Sequence, residues 1–298
     1  MRYCFRVATL SLMLLPLVGR VGDERAAASS GGMSVRRDVQ YCVAGRVPLT
    51  MDVYAPRAVD APPRPLVLYV HGGGFGQGDK NTSTARAYMA ELVSRGFVGA
   101  SVNYRLAPNH RFPAMLEDVK CAVRYFRANS ASYRIDPGRI GIMGSSAGGQ
   151  LAAMVGVTDS RARFEGSGGY GNQSSRVQAV ADLFGFADLT APLPRQLRQG
   201  LLNVFGSPEA MAIGSPVTYV TSDDPPFLIM HGDQDRTVPL SQSQLLLQKL
   251  RAARVPATLY IVTNADHGFR ETGTGPVSPD RDTRLDIIGD FFTRTLRR

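Results

Sequence analysis

The chain predicts an α/β fold: a mostly parallel central sheet of about eight strands with helices on both faces. Three observations carry the prediction. Short runs that are apolar throughout recur along the chain, such as LVLYV at 66–70, RIGIM at 139–143 and FLIM at 227–230. Strands read this way when helices cover both faces of a sheet. Stretches with helical apolar spacing separate these runs, which is the order that crossover connections require. Finally, glycine-rich segments directly follow two of the strands, where a parallel sheet carries its binding loops.

The elements follow in order. Residues 49–54 (LTMDVY) alternate like an edge strand, and 66–70 end in His71 and three glycines. Residues 84–94 have helical spacing and 97–102 form the next strand. Pro113 opens a helix whose core face is Met115, Leu116, Val119, Ala122, Val123 and Phe126, proline being at home in a first helical turn. A strand at 139–143, a helix at 147–155 and a strand at 179–184 continue the alternation. Pro225-Pro226 stops the chain before the strand 227–230. An amphipathic helix at 240–251, a last strand at 258–262 and a closing helix at 283–296 complete it; Arg294, Arg297 and Arg298 at the end suit the helix dipole.

Only 188–223 departs from this pattern, with Pro192, Pro194, Gly206, Pro208 and Pro216 around a short apolar helix at 197–205. It reads as an excursion over the site, a small lid or wall, inside one domain spanning 35–298. A chain of 298 residues, 44% hydrophobic, can bury one large core.

The N-terminus reads as a signal peptide at 1–28. Arg2 and Arg6 supply charge, 7–18 is apolar, and Ala26-Ala27-Ala28 offers a cleavage site. The run is shorter than the ~20 residues a membrane-spanning helix needs, so no stable membrane insertion is expected. Export to the periplasm or medium follows; translation from Met33 would leave the protein cytoplasmic. Cys4 would go with the signal. Cys42 on an early strand and Cys121 inside a helix are expected as two free, partly buried thiols. The net charge of +9 comes from arginines spread singly, often beside acids, with no run of five basic residues. That pattern is a solvated basic surface and argues against nucleic acid as a partner.

The chemistry lies in Gly144-Ser145-Ser146-Ala147-Gly148, the one G-x-S-x-G of the chain, set between an apolar strand and a helix. A serine at the apex of such a turn is exposed and strained, and the residues two before and two after it must be very small. The helix start also offers free N–H groups to developing negative charge. Ser146 is therefore the candidate nucleophile, and Ser145 is expected to point away. His71-Gly72-Gly73-Gly74-Phe75 follows another strand directly, and without Cβ atoms its backbone can approach a ligand. Gly73 and Gly74, with Ala147, are the candidate oxyanion donors. No Gly-Lys-Ser/Thr follows, so a phosphate loop is not indicated.

A serine nucleophile needs a base, and the base needs an orienting carboxylate. Four histidines are available. His71 belongs to the glycine loop, where it reads as an orienter. His110 precedes the nucleophile in a polar loop, and His231 ends a strand. His267 follows the last strand and fits the order serine, acid, histidine of the α/β-hydrolase fold. Asp235 is the favoured acid because Thr237-Val238-Pro239 leads from it into the next helix. Asp233 is the alternative, otherwise a turn residue, and Asp266 reads as a loop cap. No H-x-H, C-x-x-C or H-E-x-x-H occurs, so a catalytic metal is not expected.

These motifs resemble the bacterial esterases related to hormone-sensitive lipase, particularly the group of feruloyl- and xylan-acetyl-esterase-like proteins. The resemblance runs from about Val39 to the C-terminus. It also includes Asn103-Tyr104-Arg105-Leu106-Ala107-Pro108, Phe112-Pro113-Ala114 with Asp118, Ile135-Asp136-Pro137, Ser215-Pro216-Val217-Thr218-Tyr219, and Asp224-Pro225-Pro226-Phe227 through His231-Gly232-Asp233. It implies hydrolysis of small or medium acyl esters without a cofactor, on small molecules or polysaccharides, by Ser146, Asp235 and His267. Many relatives carry histidine or glutamate where Ser145 stands, and Asn264-Ala265-Asp266 replaces a glycine-containing turn. Little chain precedes the first strand, so the N-terminal cap of lipase-like relatives is not expected, and an open site is. Two rivals stand beside an esterase: an amide hydrolase of the same fold, such as an arylformamidase or a prolyl-oligopeptidase-like peptidase, and a non-catalytic binding protein.

Overall fold

The computed structural model describes Met1, 32–57 and 62–297. Its contacts separate residues 1–30 from 31–298, and the fold below is that of the second unit. The expected signal peptide, beyond Met1, lies outside the described residues.

Eight strands form one sheet in the order β1-β2-β4-β3-β5-β6-β7-β8. β1 (Met33–Ala44) and β2 (Val47–Pro56) pair as an antiparallel hairpin, and β2 lies antiparallel to β4 (Val98–Val102). From there every pairing is parallel, through β3 (Arg64–Val70), β5 (Ile135–Ser145), β6 (Ala179–Leu183), β7 (Phe227–Gly232) and β8 (Ala257–Val262). This is the α/β-hydrolase fold. Every residue of β4, β6 and β7 is buried, which is why they read as mainly apolar runs, broken only by Ser101, Asp182 and His231.

Alternate residues of β3 enter the two cores. Leu66, Leu68 and Val70 belong to the core that also takes in buried residues of α2 (Ala114–Ala128), α4 (Ala147–Val157) and α7 (Ser241–Ala252). Val67 and Tyr69 belong to the core on the other face, with buried residues of α1 (Ser83–Ser94) and α8 (Arg281–Leu296). No helix among the described residues is long and apolar enough to cross a membrane.

Two expectations need correction. Residues 49–54 lie in β2, which is not the edge, because β1 covers it. β1 is hard to read as a strand because it is charged (VRRDVQ) and its register shifts between Arg36 and Val39 and again between Gln40 and Cys42. Charge and bulges of this kind protect an edge from further pairing.

Cys42 and Cys121, expected as free thiols, form a disulfide with Cα atoms 6.5 Å apart. The hairpin end of β1 packs on α2, which brings together two positions 79 residues apart. Nothing local in the sequence reports that contact. Closing a loop of this length is worth about 4 kcal/mol in the chain-entropy model. The Cys42→Ala/Cys121→Ala variant is therefore expected to melt roughly 10 °C lower. A calorimetric Tm within about 2 °C of the wild type would show that the crosslink carries little of the stability.

The excursion 188–223 holds α5 (Arg195–Phe205) and α6 (Pro208–Ile213). Its start is pinned where Gln242 Oε1 accepts the amides of Ala187 and Asp188, both at 2.8 Å. Farther on, Ser215 Oγ accepts from Leu189 N–H at 2.9 Å and donates to Met211 O at 2.8 Å. Phe205 of α5 packs on Phe75 and Phe112.

Candidate active site

β5 ends at Ser145 and α4 begins at Ala147, leaving Ser146 between them at φ 55°, ψ −120°. Left-handed φ is costly for a residue with a Cβ and persists only where the surroundings enforce it. Here the Ser146 amide donates to Leu183 O at 2.8 Å, and its carbonyl accepts the Gln150 amide at 3.0 Å. The flanking glycines allow the crossing. A Cβ on Gly144 would collide with the Gly148 carbonyl, and one on Gly148 with the carbonyls of Val70 and His71.

The segment after β8, through the short strand Ala265–Asp266, brings His267 to this apex. Its Nε2 lies 2.9 Å from Ser146 Oγ, and its Nδ1 lies 2.7 Å from Asp235 Oδ2. With the ring proton on Nδ1, the imidazole donates to the carboxylate and accepts from the serine hydroxyl. Phe184 packs edge-on against the ring, 4.9 Å between centroids. Asp235 is fully buried at its side chain. Its Oδ1 accepts the amides of Thr237 and Val238, both at 2.8 Å. Burial alone would raise its pKa; hydrogen bonds from His231 and His267 and the charge of His267 outweigh this and hold the carboxyl well below the usual range. Asp233, the alternative acid, accepts the Ala265 amide at 3.2 Å instead. Asp266 caps the loop, accepting the amides of Arg236 and His267.

The glycine loop lies against the same serine. His71 is buried, its Nδ1–H donates to Gly72 O at 2.7 Å, and its ring stacks on Tyr104 at 4.4 Å. Gly73 (φ 120°) and Gly74 (φ 59°) turn the chain through conformations a side chain would strain, and Gly73 O accepts the amides of Gly76 and Gln77. Together with Ser146 and His267, these glycines line a cavity of about 750 Å³. Phe186, Leu197 and Leu201 give the cavity apolar lining, and Tyr69, Thr84 and Tyr88 line it as well.

Three features escaped the sequence reading. Ser145 does not turn away: it lines the cavity and accepts the Tyr69 hydroxyl at 3.3 Å, though it has no bond to His267. His231 stands behind the acid, with Nε2 3.3 Å from Asp235 Oδ2 and 2.9 Å from Val238 O, and Nδ1 2.6 Å from the Ser243 hydroxyl. A polar residue closing an apolar strand was the available signal. Asp182, fully buried in β6, accepts the Gly185 amide at 2.9 Å through Oδ1, while Oδ2 has no partner. Burial pushes this carboxyl up to about 7, against the pull of His231 and the Gly185 amide.

A family model described as BD-FAE matches residues 51–250, two-thirds of the chain. The chain belongs to the BD-FAE family. The matched span includes the glycine loop, the Ser146 turn and Asp235, while His267 lies beyond it. Esterase LipC of Mycobacterium tuberculosis is 31% identical over 231 residues, 74% of this chain and 56% of the relative. Esterase LipQ of the same organism is 31% identical over 270 residues, 87% of this chain and 63% of the relative. This BD-FAE chain therefore spans about half to two-thirds of the length of these curated relatives. A truncated carbohydrate esterase from gut microbiota superposes with a TM-score of 0.76 at 30% identity, covering 89% of this chain and 97% of that one.

Proposed function

We propose that this BD-FAE protein is a serine carboxylesterase acting on esters of small or medium acyl groups. The observation that carries the reading is the continuous relay from Ser146 Oγ to His267 (2.9 Å) to the buried carboxylate of Asp235 (2.7 Å). Such spacing lets the imidazole take the serine proton as the oxygen attacks an ester carbonyl. Amides of Gly73, Gly74 and Ala147 hold the oxyanion in this scheme, and the field at the start of α4 favours the same charge. The imidazolium then protonates the departing alcohol. Water repeats the sequence on the acyl-serine, releasing the acid and restoring the enzyme.

The names of LipC, LipQ and the gut-microbiota carbohydrate esterase support ester substrates. The walls Phe186, Leu197 and Leu201 suit an apolar acyl chain, and a cavity of about 750 Å³ suits a small or medium one. Export belongs to the proposal as well, and the Cys42–Cys121 disulfide supports it because such bonds persist in oxidising compartments.

The test is covalent labelling. A fluorophosphonate probe is expected to modify Ser146, located by peptide mass spectrometry, and to abolish turnover of p-nitrophenyl acetate in proportion to labelling. Labelling at another serine, or no turnover of any ester in a C2–C12 p-nitrophenyl, acetylxylan and feruloyl panel, would overturn the proposal.

A further inference from the structure

A second cavity of about 370 Å³ shares four wall residues with the first: Thr84, Tyr88, Gly268 and Phe269. Its outer side carries Arg281 and Arg284, both on the first turn of α8. Arg284 is half-buried, its guanidinium lies 4.9 Å above the Phe269 ring, and Nη1 donates to Pro279 O at 2.6 Å. Among the described residues neither arginine pairs with a carboxylate. Of the acids beside them, Asp280 uses Oδ1 to cap α8 through the Thr283 amide at 2.8 Å, and Asp282, between the two arginines, forms no ion pair with either. Farther along α8 the contrast is plain: Asp286 and Asp290 both pair with Arg95, which also holds Glu91. Most of the donors of Arg284 thus remain unassigned, in a concave site wide enough for a small anionic group.

The direction of this annex follows from chemistry. The general acid must reach the oxygen of the departing alcohol, so the alcohol leaves on the side of His267. Gly268 and Phe269 follow His267 directly and wall both cavities. Thr84 and Tyr88, both hydroxyl-bearing residues, wall both cavities as well. From this geometry we infer that the preferred substrates are acyl esters whose alcohol part is oxygen-rich and carries a carboxylate, as in an acylated uronic acid, with Arg281 and Arg284 binding that carboxylate. The inference rests on the ester-hydrolysis reading above and deepens it. Guanidinium groups suit such an anion because they can hold both of its oxygens. The chain stays net positive without residues 1–28, which would also raise the local concentration of acidic substrates.

The test compares acetyl esters of methyl glucuronoside and methyl glucoside, acetylated at the same hydroxyl. For the wild type, kcat/KM for the acidic ester is expected to exceed that for the neutral one by about tenfold or more at low salt. The ratio should fall towards one in Arg281→Gln/Arg284→Gln, persist in Arg284→Lys, and shrink with added NaCl. A wild-type ratio near one overturns the inference. So does a double variant that slows both esters equally, since that marks a structural role through Phe269. Turnover of p-nitrophenyl acetate in the same preparations separates the readings: if it is absent, ester hydrolysis itself fails; if it is present without preference for the acid, only the annex fails.

Discussion

Asp235→Asn is expected to lower kcat on p-nitrophenyl acetate by roughly 10³–10⁴-fold, whereas Asp233→Asn should change it less than about twofold. The reason is tautomeric. In the wild type the carboxylate accepts from Nδ1, which leaves Nε2 free to receive the serine proton, 2.9 Å away. An asparagine can present its NH₂ to Nδ1 and so turn the ring to the tautomer whose Nε2–H faces Ser146. Size and the Thr237 and Val238 amide bonds are nearly preserved, and His231 keeps Val238 O and the Ser243 hydroxyl, so the fold should survive. Steady-state kinetics on proteins with matching circular dichroism decide the matter. If Asp233→Asn is the crippled variant, the relay has been drawn through the wrong acid.

The same carboxylate has a pH signature. Its folded pKa is depressed, so its contribution to stability is complete above the unfolded value of about 4 and is lost as the pH falls through the folded value. Wild-type stability should therefore drop more steeply below about pH 4 than that of Asp235→Asn.

Gly148→Ala is expected to cost on the order of 4 kcal/mol or more and to remove most soluble protein. Intrinsic helix propensity favours alanine here by about 1 kcal/mol, so a loss must come from packing. The added methyl group would run into the carbonyls of Val70 and His71, which belong to the central β3 strand and the glycine loop. Neither can yield without moving β3 away from β5 or shifting the glycine loop. Gly200, also helical, is the control: a Cβ there meets nothing within 4 Å, so Gly200→Ala should be neutral or slightly stabilising. Urea unfolding of both variants measures the contrast. A Gly148→Ala protein as stable as the wild type would mean that the turn has slack its backbone does not suggest.

The parallel strands and crossover helices were readable because burial on both faces leaves unbroken apolar runs, as in LVLYV, and because helical spacing survives in isolation. β1 was harder, since an exposed, bulged edge spends its residues on charge. Ser146, His267 and Asp235 could be brought into one hypothesis because each follows a strand and parallel strands end on the same side. The partners behind them could not. His231 reaches Asp235 from its own strand end, and Ser145 meets Tyr69 across the β3–β5 register, contacts that depend on side-chain direction and strand offset. The Cys42–Cys121 pairing failed for the same reason: whether two thiols meet depends on how a hairpin lies on a helix, and no local pattern records that.

That crosslink also makes a covalent ring of residues 42–121, and the glycine loop of β3 lies inside it. A single peptide-bond cut within the ring cannot separate the amino-terminal piece from the carboxyl-terminal piece that carries Ser146, Asp235 and His267. The two pieces stay within reach of each other and can close again on the same sheet. In surroundings rich in proteases, the fold would thus tolerate a nick in any surface turn of that ring as a broken chain but an intact molecule, for as long as the disulfide remains oxidised.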